Sequence, residues 1–119
     1  MLGADDQWLH CVSDDRKIYS HDHGMYLPDG PSWTEASLLA QVDTPHPPSY
    51  ATSGLDPGAV ADFSKRLESV SRDDLIALVS AVPTSWPVSD RELEALGYFL
   101  ERRAPAVAAR LRALTGGTP

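Results

Sequence analysis

The sequence predicts an α+β domain: an N-terminal β-hairpin, a proline-rich irregular middle with one short helix, and a C-terminal bundle of about four short helices. Three observations carry this prediction. Residues 7–27 hold two β-branched and aromatic stretches around a short polar link. Six of the ten prolines fall between residues 28 and 57. From residue 57 onward, apolar side chains recur at three- and four-residue spacing. A chain of 119 residues suits a single domain, divided here into 1–27, 28–56 and 57–119.

In the first segment, Gln7–Val12 and Lys17–His21 flank Ser13-Asp14-Asp15-Arg16, a link of hairpin length. A lone hairpin is marginal in water, so these strands are expected to rest on the helices that follow or on something outside the chain. Pro28, Pro31, Pro45, Pro47, Pro48 and Pro57 then exclude long regular structure, because each lacks an N–H and fixes its own φ. One helix fits among them, capped by Ser32 with Glu35 three residues on and with Trp33, Ala36, Leu38 and Leu39 as its apolar surface. Residues 44–50, rich in proline around His46, read as a rigid extended connector.

Val60, Phe63, Leu67 and Val70 share one helical face. Ser71 with Asp74 opens the next helix, which Pro83 stops, and Ser89 with Glu92 opens another. Pro105 is expected in the first turn of a last helix that ends at Gly116-Gly117.

Composition narrows the function. The net charge of −7 lies in residues 1–60, where nine acids face two bases; the remainder is balanced. An acidic chain repels phosphodiester backbones, so no nucleic-acid partner is expected. No apolar run is long enough to span a bilayer and no secretory leader is evident, so the expected setting is cytoplasmic, away from membranes. Cys11 is the only cysteine, which rules out an intrachain disulfide and a four-cysteine zinc site.

Lys17–Leu27 is the segment richest in chemistry. There a strand delivers Asp22, then His23, then Gly24. An ionised aspartate is a fitting ligand for Mg²⁺, a hard cation that prefers oxygen, and Gly24 allows a sharp turn after it. With Gly30-Pro31-Ser32-Trp33-Thr34 and a short helix following, residues 8–39 resemble the end of the catalytic core in HipA-like kinases, bacterial relatives of the phosphatidylinositol and protein kinases. The resemblance implies that Asp22 binds Mg²⁺ carrying ATP, that Gly24 forms the turn, and that the helices belong to a C-terminal lobe.

The departures from that family are specific. A phosphoryl-transfer site also needs an upstream Asp and Asn, a phosphate-pairing lysine and a covering loop. The chain has no asparagine, only Lys17 and Lys65, and 21 residues ahead of Asp22. The expectation is therefore a kinase-like fragment, inactive alone and complemented by another subunit.

Two alternatives stand beside it. One is a non-catalytic module that docks onto a partner protein. The other is a metalloprotein: His21 and His23, two apart on a strand, point to one side and suit Zn²⁺ or Fe²⁺, with Asp22 or His46 as further ligands. Cys11 reads as a buried structural thiol, and Ser20-His21-Asp22 are too close in sequence to form a triad. Trp8, Trp33 and Trp86 read as core or lobe contacts, and Asp5-Asp6 and Asp73-Asp74 as tail and helix-terminal charge. Arg102, Arg103, Arg110 and Arg112 read as a solvated basic face.

Overall fold

The structure, a computed structural model, describes residues 8–10, 13, 18–20, 26–45 and 55–114. Each helix in it starts where a side chain satisfies the first free N–H groups. Thr34 accepts from the Ser37 N–H and Ser37 answers at the Thr34 N–H, so α1 spans Glu35–Gln41. Asp56 accepts from Gly58 and Ala59, and Pro57 sits in the first turn of α2, Pro57–Glu68. Ser71 and Asp74 cap α3, Arg72–Ser80. Ser89 and Glu92 do the same for α4, Asp90–Leu114.

The expected α+β class is corrected: the folded body is all-helical. The N-terminal residues pair only as β1 (Trp8–His10) against β2 (Ile18–Ser20), antiparallel, three residues each. Among the described residues neither strand meets a helix. A ladder this short, with no described helix packed against it, supplies no layer of the core. β-Branched and aromatic residues report strand preference, but an α+β domain needs such strands buried against helices.

Two helix boundaries are corrected as well. Ser32 does not cap α1; it closes a 3₁₀ turn, Gly30–Ser32, and Thr34 takes the capping role. Asp29 and Gly30 both have positive φ there, which turns the chain before the helix begins. Pro105 does not start a new helix but lies inside α4, a single 25-residue rod about 37 Å long. The bundle from residue 57 therefore has three helices rather than about four. Continuing one helix through a proline sacrifices one hydrogen bond, whereas breaking it would expose a second set of end groups.

That rod is the spine of the fold. The other three helices each pack on α4 and, among the described residues, not on one another. Glu35 pairs with Arg91 and Asp43 with Arg102, so α1 runs in the same sense as α4. Arg72 pairs with Glu101 while Val79 faces Gly97, so α3 runs opposite to it. Helix α2 meets the C-terminal half, with Ser64 donating to the Ala108 carbonyl and Glu68 pairing with Arg112. Ser64 and Ala108 have no exposed surface, and their small size lets the two helices approach closely. Leu38, Ala95 and Phe99 centre the core, with Leu27, Trp33, Val42, Leu96 and Leu100 packed around them. No described helix is long and apolar enough to cross a membrane.

Candidate functional site

Because α2 and α3 both lean on α4 without touching, a groove of about 530 Å³ remains between them. Its floor is α4 from Phe99 and Leu100 to Ala104 and Val107. Phe63 and Leu67 of α2 form one wall, and Leu75 and Leu78 of α3 the other. Val70 of the link, with Tyr26 and Leu27 from the segment ahead of the 3₁₀ turn, complete it. Apart from Asp74 and Arg103, its lining side chains are apolar or aromatic. Phe63 is 46% exposed and Leu78 57%, large apolar surfaces left open to solvent beside the slot.

The two charged residues differ in their surroundings. Asp74 is committed to its helix cap: its carboxylate accepts from the Ser71 hydroxyl at 2.6 Å and the Ser71 N–H at 3.0 Å. Those bonds, the hydroxyl first, hold its pKa below the usual carboxylate range. Arg103 is only 6% exposed. Its Nη1 donates to the Thr44 carbonyl at 2.7 Å, and its guanidinium lies 5.9 Å from the centre of the Phe99 ring. Its Nε and Nη2 are buried and have no hydrogen-bond partner among the described residues. Burial, and secondarily the charge of Arg110, push its pKa down. An arginine nevertheless keeps its charge inside a protein. An under-partnered buried cation is costly and uncommon.

The sequence reading missed this residue by grouping it with the basic face. Spacing held the clue: Phe99, Arg103 and Val107 are four apart and share the apolar stripe of α4. Its neighbours behave differently, Arg102 pairing with Asp43 at 2.9 Å and Arg112 with Glu68.

The residues singled out for chemistry, His21, Asp22, His23 and Gly24, lie outside the described residues, as do Cys11 and His46. Among the described residues no three metal-ligating side chains come together. In comparisons with known proteins, no family model, curated protein or solved structure matches the chain.

Proposed function

We propose that the chain is a non-catalytic interaction module whose groove over α4 receives one amphipathic helix of a partner protein. The observation that carries this reading is the gap itself: two helices flank an apolar floor and leave open the place where a further bundle helix would lie. Helix-in-groove recognition works by laying residues i, i+3, i+4 and i+7 of a helix into such a slot. Exposed Phe63 and Leu78 beside it supply the aromatic and aliphatic surface that gains most from being covered.

The test uses a displayed library of 18-residue amphipathic helices selected on the full chain. Ala104→Trp places an indole in the groove and is expected to weaken capture of the selected helices at least tenfold. The thermal midpoint and helical circular dichroism should stay near wild type. Equal capture by the folded variant would overturn the reading.

A second reading, phosphoryl transfer with a complementing subunit, is favoured by one observation: β2 ends two residues before Asp22. The Asp22→Ala change in the assembly reconstituted with the complementing subunit tests it. Loss of phosphoryl transfer with assembly intact supports it; loss of neither contradicts it.

A further inference from the structure

We propose that Arg103 makes the groove selective for a helix that carries a carboxylate side chain, an aspartate or glutamate set among its apolar residues. This inference rests on the docking reading and adds the chemistry of the partner. A guanidinium presents Nε–H and one Nη2–H side by side, a fork that matches the two oxygens of a carboxylate. The protein uses that fork elsewhere. Arg72 donates through Nε and Nη2 to the two oxygens of Glu101, at 3.0 and 3.1 Å.

In Arg103 the same two nitrogens have no partner among the described residues, while Nη1 is held by Thr44. The side chain is thus anchored through one nitrogen with its carboxylate-binding edge unused. Asp74, the acid lining the groove, is bound to Ser71 and does not fill that edge. Because Nε and Nη2 are already closed off from water, little solvation remains to be stripped from them on binding. An uncharged amide at the same place would leave a buried cation without its counter-charge, which is the basis of discrimination. Arg103 lines the groove, so an acid lying in the slot would meet its guanidinium once the atoms covering these nitrogens move aside.

The experiment varies one polar position, flanked by leucines, in the same library of 18-residue helices. Selection on the wild-type chain is expected to enrich Glu or Asp at that position at least tenfold over Gln or Asn. Arg103→Met should abolish the preference. Arg103→Lys, which keeps the charge and loses the fork, should reduce it, with folding of both variants checked by thermal melts. Helices selected without acid preference, or with a preference that survives Arg103→Met, would overturn the inference and leave the docking reading standing. Failure to select any helix above background would overturn both.

Discussion

Single residues reveal the tension in this molecule most clearly. Three carboxylates outside the core are held by close partners. The Arg112 side chain holds the Glu68 pKa below its usual range, the Ser71 hydroxyl and then its N–H do so for Asp74, and the Ser89 N–H and then its hydroxyl for Glu92. A lowered pKa in the folded state favours folding above the unfolded value, and that contribution disappears as pH falls through the folded one. Stability should therefore be flat near neutrality and decline below about pH 4.5, read as a falling urea midpoint. Ser71→Ala with Ser89→Ala should make the decline somewhat shallower, since Asp74 and Glu92 each lose the hydroxyl donor while keeping the N–H. Arg103 is the contrast, buried with no counter-charge among the described residues. A buried charge without a counter-charge carries a desolvation cost that an apolar side chain of similar length does not. Arg103→Met is thus expected to keep or raise the thermal midpoint, whereas a purely structural arginine would lower it. Residue type alone hid this, because an Arg-Arg pair in an amphipathic helix reads as surface until its position on the apolar stripe is counted.

Helices and their boundaries were legible in proportion to how local their signals are. Ser71 with Asp74 and Ser89 with Glu92 are three-residue signals, and both helices start where those pairs place them. The start of α1 was misplaced because Ser32 and Thr34 are both good caps; the positive φ at Asp29 and Gly30, not visible in the residue types, decides between them. Pro105 misled for a different reason. Its local preference for a helix start is real, but α4 must reach both α3 and α2, and packing along the rod outweighs the lost bond. Pro105→Ala restores the N–H donor opposite the Glu101 carbonyl and is expected to stabilise the protein by about 1–3 kcal/mol in urea unfolding. At the α2–α4 contact the opposite holds. Ser64→Leu or Ala108→Leu adds bulk where both residues are fully buried, and each should cost about 1–3 kcal/mol by the same measurement.

At the scale of the whole molecule, one long helix carries three shorter ones and leaves a slot between two of them. Periodicity put Phe63 and Leu67 on one apolar face but could not say which would be covered, since that depends on the distance between α2 and α3. The predicted α+β class failed at this same level, where the question is what rests on what. The docking proposed above rests on the arrangement of helices rather than on any motif, and it is most directly tested by where a bound helix lands. Methyl-labelled protein titrated with a selected helix should show shifts at Leu67, Leu78, Leu100 and Val107, while Leu93 and Val88, away from the slot, stay in place. Shifts centred on Leu93 and Val88, or a bound helix that leaves the slot methyls unmoved, would contradict it.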